Sequence, residues 1–384
     1  MPADDPIAGA MQAALDEGVF PGAVLLVRLR GQIVYHRAFG LAACLPDQEP
    51  ASVDTIYDLA SLTKPLATTT AVLCLVQDGR LNVDTVIQEI LGELGGSAIG
   101  RATISHLLSH RSGLPAWRPL YQRIAERDRA QPGFLGSEGA KQLALEMIRD
   151  EALLSPIGAQ GVYSDLGFIL LGFLVEELAG QSLAAFCRDR VYNRLEAGAL
   201  FFIGAGGAQV GGPANGPVDP RRIAPTEDDH WRGRMVRAEA HDENAWALGG
   251  VAGHSGLFGT AAAVSAVSRC WLLGRLGRES LLSPGLVGRF LAGLGQAASG
   301  SSWVLGWDTP SVPSSSGTRF SPQSFGHLGF TGTSLWIDPV EGLEVVLLSN
   351  RVHPSRKNDA IRHFRPQIHD VIYSEYVPGG SGES

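Results

Sequence analysis

Apolar and polar positions along the chain change their period several times. Residues 5–17 repeat apolar side chains at helical spacing. The stretch "GAVLLVRLRGQIVYHRAFGLAA" (22–43) alternates and breaks at Gly31-Gln32, which predicts a β-hairpin. From about residue 61 the period turns helical, and "LATTTAVLCLVQDG" stops at Asp78-Gly79. The middle stays helical through "ISHLLSH", "GAKQLALEMIRDEALL" and "DLGFILLGFLVEELAG", the last closed by Gly180. "GAGGAQVGGPANGPVDP" reads as a long surface loop. In "GLFGTAAAVSAVSRCWLLG" a helix follows Thr260 as N-cap, and "TSLWIDPVEGLEVVLLSN" predicts two strands around a turn at Pro339 to Gly342. Strands near both ends and helices between them predict an α/β (α+β) fold. One antiparallel sheet would be built from both termini and flanked by helices, with an inserted, mostly helical lobe. The expected division of a single domain is an α/β lobe over about 1–65 and 255–375, a helical lobe over about 66–254, and a flexible tail at 377–384.

Composition narrows the function classes. The 384 residues suffice for a large core, and 45% apolar with 18% charged is ordinary for a soluble globular chain. A net charge of −8, with no basic stripe interleaved with aromatics, argues against nucleic acid or an anionic membrane as partner. The four cysteines form no CxxC pair and are expected as free buried thiols. The N-terminus lacks a basic segment followed by an apolar run, so it is not read as a secretory signal, and a cytoplasmic location is expected. The longest apolar run, "GFILLGFLV", is too short to span a bilayer.

Chemistry enters with the lysines. Of 31 basic residues only Lys64, Lys141 and Lys357 are lysine; the other 28 are arginine. A buried lysine can lose its proton near neutral pH, whereas arginine effectively cannot. In "YDLASLTKPLATTT" (57–70), Ser61 and Lys64 stand at i and i+3, side by side on one face if a helix begins near Leu59. A lysine there can take or relay the serine proton and activate a nucleophile without histidine. With serine at roughly 7% of residues, about 0.2 such pairs arise by chance among three lysines, so the spacing alone does not decide between a nucleophile and a surface lysine.

Two further segments decide it. "GVYSDLGFILLG" sets Tyr163-Ser164-Asp165 before an apolar helix, and "FGHLGFTGTSLWIDP" sets His327-Leu328-Gly329 at the start of a terminal strand. In this order the three segments resemble the Ser-x-x-Lys, Tyr-x-Asn and Lys-Thr-Gly elements of the penicillin-recognising serine hydrolases. The tyrosine brings them nearest the branch of class C β-lactamases, D-alanyl-D-alanine carboxypeptidases and esterases. "HLLSHRSGLPAW" resembles that branch, and "HDENAWALGGVAGHSGLFGTA" resembles a subgroup with amidases acting on muropeptides. The resemblance spans roughly residues 15–355. It implies a β-lactamase/transpeptidase-like fold and an acyl-enzyme on Ser61 with Lys64 as proton partner. Tyr163 would be general base or relay, its phenol acidified by Lys64, and His327 would belong to the catalytic set. The backbone N–H groups of Ser61 and Phe330 would form the oxyanion hole.

Asp165 replaces the usual asparagine, and an ionised Asp165 would hold Lys64 protonated and leave more proton work to Tyr163. Leu328 replaces a hydroxyl that binds the carboxylate of a penicillin or a terminal D-alanine. Weak or absent β-lactamase activity is therefore expected, with esters or amides preferred that lack that carboxylate or place it elsewhere. Asp165, Leu328, Gly329, His241, Asp242, Asn244 and His254 are candidate substrate-binding residues, and Arg351 and His353 could meet an acidic group. His106 and His110 stand at a metal-compatible i, i+4 spacing but lack a third ligand, so helix packing or capping is expected and no metal or cofactor is implied. The sequence reads as a serine hydrolase of small esters, amides or muropeptide-like fragments. An acyltransferase, or a binding module with weakened turnover, stand as alternatives.

Overall fold

A computed structural model describes residues 5–204, 207–211, 219–294 and 301–377. Most of the expected tail, and parts of the expected loop at 204–220, lie outside the described residues. The main sheet has eight antiparallel strands, in the order Trp303–Val304, Trp307–Asp308, Phe325–Leu328, Ser334–Asp338, Leu343–Ser349, Gly22–Leu29, Gln32–Ala43 and Glu49–Pro50. The hairpin at Gly31-Gln32 and the turn before Leu343 form as the pattern predicts. The two terminal segments meet in register, with Leu25 opposite Leu347 and Leu26 opposite Val346.

The central strands do not alternate in burial. Gly22 to Val27 and all of Leu343–Ser349 are buried, because both faces of the sheet are covered. Leu25, Val27, Val345 and Leu347 pack with the helices Pro6–Asp16 and Ile361–Tyr376, while Leu26, Val346 and Leu348 join the larger core that includes Ala261–Arg275. Thr260 caps that last helix by accepting from Ala263 N–H. The C-terminal helix escapes the sequence pattern because Pro366 lies inside it. Its buried Ile361, Phe364, Ile368 and Ile372 nevertheless keep the 3–4 spacing.

A second, four-stranded sheet joins Tyr57–Asp58, Leu257–Gly259, Leu200–Ile203 and Gln209–Val210. It anchors the segment before Ser61, since Leu59 N–H donates to Leu257 O at 2.9 Å and Leu257 N–H to Thr63 Oγ1 at 3.1 Å. The helix Asp165–Ala179 is buried from Leu166 to Gly172, begins at the Ser164 cap and ends at Gly180 with φ 66°. Gly253 lies against it so closely that a Cβ would stand 2.0 Å from Phe168 O. Among the described residues no single helix is long and apolar enough to cross a membrane. Cys74, Cys187 and Cys270 are free and buried; Cys44 is free and partly exposed.

Candidate active site

The chain does not enter Ser61 on a regular α-helix. A single tight turn, Ala60–Leu62, is followed by a wide turn over Lys64–Thr69 and only then by the α-helix Thr70–Gln77. Ala60 is held left-handed at φ 46°, a conformation that costs a non-glycine residue roughly 1–2 kcal/mol. The buried Asp58 carboxylate offsets this by accepting Ala60 N–H at 2.8 Å, and it also accepts His241 N–H at 2.8 Å. Burial pushes the Asp58 carboxyl up, against those two hydrogen bonds.

The i, i+3 spacing brings Lys64 to Ser61 as expected. Lys64 Nζ donates to Ser61 Oγ at 2.9 Å, to Asp165 Oδ1 at 2.6 Å and to His254 O at 3.1 Å, which uses all three of its protons. The side chain is fully buried. Burial disfavours the ammonium, but Asp165 and then Tyr163 outweigh it, and the Lys64 pKa rises above its ordinary value. Lys64 is therefore a fixed cation at neutral pH rather than a free base.

Tyr163 stands over this cation, its ring centroid 4.8 Å from Nζ, and its phenol interacts with both Lys64 and Ser61. The expectation of an acidified phenol needs correction. Burial raises the Tyr163 pKa more than the charge of Lys64 lowers it, and Asp165 raises it further. Around the phenol stand His110 at 4.6 Å, Trp303 at 5.3 Å and His327 at 6.1 Å between ring centroids. Both imidazoles are neutral. Burial and then Lys64 push His327 down to about 3 and His110 well below its ordinary value. His327 Nδ1–H donates to Leu328 O at 2.8 Å, and His110 Nδ1 accepts Ser164 N–H at 3.1 Å. His106 caps its helix at Thr103, so both members of the i, i+4 pair are used locally.

His327-Leu328-Gly329 closes the strand Phe325–Leu328 rather than opening the next one. The chain then turns through Gly329 to Thr333, where a Cβ on Gly329 would meet Leu59 O at 2.6 Å. Thr331 Oγ1 donates to Asp58 O at 2.7 Å and Thr333 Oγ1 to Leu59 O at 3.1 Å, which locks this turn to the Ser61 segment. Phe330 is 48% exposed, between the stacked ring of His241 at 5.7 Å and the Arg351 guanidinium at 4.4 Å.

The 241–244 segment divides. His241 Nε2–H donates to Glu227 at 2.9 Å, and Arg356 bonds Glu227 and, at 2.8 Å, Glu243. Burial raises the Glu227 carboxyl, but His241 and Arg356 more than reverse that, to about 2. Asp242 accepts from His254 Nε2 at 2.8 Å, which overcomes burial and leaves the carboxyl well below the usual range. Asn244, expected as a substrate contact, is wholly buried, and its amide is spent on Tyr121 N–H at 2.9 Å and Arg118 O at 2.8 Å. His353 likewise bonds Thr226 O and Cys44 N–H.

Ser61, Tyr163, Asp165 and His327 open onto one cavity of about 590 Å³, which His241, Asp242, His254, Leu328, Gly329 and Phe330 also line. Sequence reading missed Trp117, Trp303, Asp308, Arg356, Arg362 and Arg365 among its lining residues. Burial raises the Asp308 carboxyl to about 6.

Comparison with known proteins gives the family and the fold. Residues 7–367 match the family model described as Beta-lactamase. An Escherichia coli protein described as "Putative D-alanyl-D-alanine carboxypeptidase" is 32% identical over 360 residues, covering 87% of this chain and 79% of its own. A Salmonella typhimurium protein of the same description is 29% identical over 381 residues, covering 92% and 84%. Among solved structures, EstCE1, described as a hydrolase with promiscuous acyltransferase activity, superposes with TM-score 0.73 at 21% identity, covering 96% and 97% of the two chains. Unliganded simvastatin synthase (LovD) from Aspergillus terreus superposes with TM-score 0.69 at 21% identity, covering 97% and 99%. These two show the shared fold.

Proposed function

Because the chain belongs to the beta-lactamase family and is a serine hydrolase of that family, we propose that it works through an acyl-enzyme on Ser61. The observation that carries this reading is the three-way anchoring of Lys64 on Ser61, Asp165 and His254 beside Tyr163, all at one cavity. Lys64 is a spectator cation here, and a neutral Tyr163 acts as a relay. As Ser61 Oγ attacks the carbonyl carbon, its proton passes to the phenol oxygen, and the phenol proton goes to the departing alkoxide or amine. No free phenolate is required, which suits a phenol whose pKa is raised. Water, activated by the same phenol, then releases the acyl group. The N–H groups of Ser61 and Phe330 hold the negative oxygen in both steps.

The substrates are esters, or amides such as cell-wall fragments. Leu328 offers no hydroxyl to a carboxylate next to the scissile bond. Arg351 and Arg362, which also line the cavity, supply another place for an acidic group. A cytoplasmic pool of small fragments fits these features. The acyltransferase reading draws support from the activity in the EstCE1 description; an alcohol or amine would then replace water on the same acyl-enzyme.

The test is intact-protein mass during turnover of p-nitrophenyl acetate and butyrate. Wild type is expected to carry an acyl mass that Ser61→Ala lacks, and Tyr163→Phe to accumulate it because release is slowed. Equal activity in wild type and Ser61→Ala would place the nucleophile elsewhere.

A further inference from the structure

The turn from Gly329 to Thr333 leaves the N–H of Phe330 unspent. Gly329 N–H donates to Thr333 O at 2.7 Å and Gly332 N–H to Gly329 O at 3.2 Å, whereas Phe330 N–H finds no acceptor among the described residues. In a trans peptide the N–H and C=O point to opposite sides. The carbonyl opposite Phe330 N–H is Gly329 O, and it accepts from Arg365 Nη2 at 2.9 Å. The same Nη2 reaches Thr333 O at 2.8 Å, so one guanidinium nitrogen closes the base of the turn. The next carbonyl, Phe330 O, accepts from Arg351 Nε at 2.8 Å.

Arg365 stands on the C-terminal helix and is 5% exposed. No carboxylate pairs with it among the described residues. Burial, then the nearby Arg351 and Arg362, bring its pKa down to about 9. A buried guanidinium without a counter-ion is costly, and a neutral donor would satisfy two carbonyls as well. What only the cation adds is a field. Drawing electron density toward Gly329 O makes the amide nitrogen of Phe330 more positive, as in any chain of coupled hydrogen bonds.

We propose that Arg365 is a positioning residue for oxyanion stabilisation: through Gly329 O it fixes the plane of the Gly329–Phe330 peptide and polarises Phe330 N–H toward the charged oxygen. The inference rests on the reading of Ser61 as nucleophile. It separates from a purely structural prop, because polarisation acts on charged tetrahedral states and leaves neutral substrate binding alone.

The experiment measures kcat and KM for p-nitrophenyl butyrate, and the Kd of phenylboronic acid, which forms a tetrahedral anionic adduct on a serine. Wild type, Arg365→Gln, Arg365→Lys and Ser61→Ala are compared. Arg365→Gln is expected to lower kcat by at least about tenfold, short of the roughly 10²–10³ of losing a donor outright. KM should stay within about twofold, boronate affinity should fall with kcat, and Arg365→Lys should recover part of both. Unchanged kcat and boronate affinity in Arg365→Gln, or a loss confined to KM, overturns the proposal. Should the glutamine variant not fold, Arg365→Lys decides. Its compact head fits two carbonyls poorly, so a roughly threefold or larger loss in kcat and boronate affinity supports the role, and wild-type values overturn it. Activity retained in Ser61→Ala would instead refute the nucleophile reading. An inactive Ser61→Ala beside an unimpaired Arg365→Gln would remove only the role of Arg365.

Discussion

Replacing Asp165 by asparagine separates two effects of its carboxylate, one on Lys64 and one on Tyr163. The carboxylate is 2.6 Å from a fully buried Nζ, and its charge raises the pKa of both Lys64 and Tyr163. At an effective dielectric near 20, a pair about 4 Å apart is worth about 4 kcal/mol, and here that attraction holds the lysine protonated. The same carboxylate also raises the phenol through space, though less than burial does. Asparagine preserves a hydrogen bond and removes both effects, so burial dominates Lys64, whose pKa drops. Breaking a buried pair costs about 3–5 kcal/mol; with Asp165 17% exposed and an amide left in place, the lower end is expected. A cation whose folded pKa lies above its unfolded one stabilises the fold below the unfolded value, and loses that contribution as pH rises through the folded value. For wild type that window lies above about 10.5, so the full difference between the proteins is present at pH 7. Asp165→Asn should therefore unfold at lower urea at pH 7, while the alkaline-falling limb of its kcat/KM profile, where the relaying phenol loses its proton, moves to lower pH. Chemical denaturation and a pH–rate profile on p-nitrophenyl butyrate measure the two halves. A less stable variant with an unmoved or upward-moved limb would refute the coupling of Asp165 to Tyr163.

Two further outcomes are expected. Wild type should turn over nitrocefin feebly, and Leu328→Thr should raise that kcat/KM by about tenfold relative to a neutral ester, the low end of a hydrogen bond to a charged group. An equal change on both substrates would mean that position 328 does not meet the carboxylate. Glu344→Gln should stabilise the protein at pH 8 by up to about 2 kcal/mol and by almost nothing at pH 4 or below, read by urea denaturation. Burial holds the Glu344 carboxyl up at about 6, against 4.5 when unfolded, so ionising it in the core costs stability above that window and not below it. A gain independent of pH would refute this.

Much of the site was legible because its chemistry is bound to short spacings. Ser61 and Lys64 meet across one turn. Tyr163 and Asp165 ride on the cap of a helix whose apolar run is long, and Phe330 follows a strand end. Those relations survive even though the entry to Ser61 is not a regular helix. The hidden parts have long-range causes. Asp58 matters because His241, far along the chain, donates to it. Asn244 belongs to a polar cluster from which substrate contact looked plausible, and only the fold shows its amide already used by Tyr121 and Arg118. The second sheet is built from strands of two to four residues, too short for a period to register. The C-terminal helix was concealed by Pro366, and with it Arg362 and Arg365.

These arginines alter the meaning of the departures at 165 and 328. With asparagine at 165, the cation nearest Ser61 would lack a carboxylate partner, and its field would fall on the phenol and the reacting oxygen together. Aspartate cancels most of that field while fixing the lysine in place. The cost is a phenol that stays protonated and must relay rather than abstract. On the other side of Ser61 the charge is not cancelled. Arg356 is balanced by Glu227 and Glu243, but Arg351 and Arg365 bond only to backbone carbonyls, two of them flanking Phe330. The positive potential of the pocket is thus displaced from the proton-transfer end to the oxyanion end. A pocket so arranged favours reactions limited by charge on the carbonyl oxygen over those that need a strong base, as ester cleavage does. It also leaves the mouth beyond Phe330 attractive to an acidic group, away from the place where Leu328 excludes one.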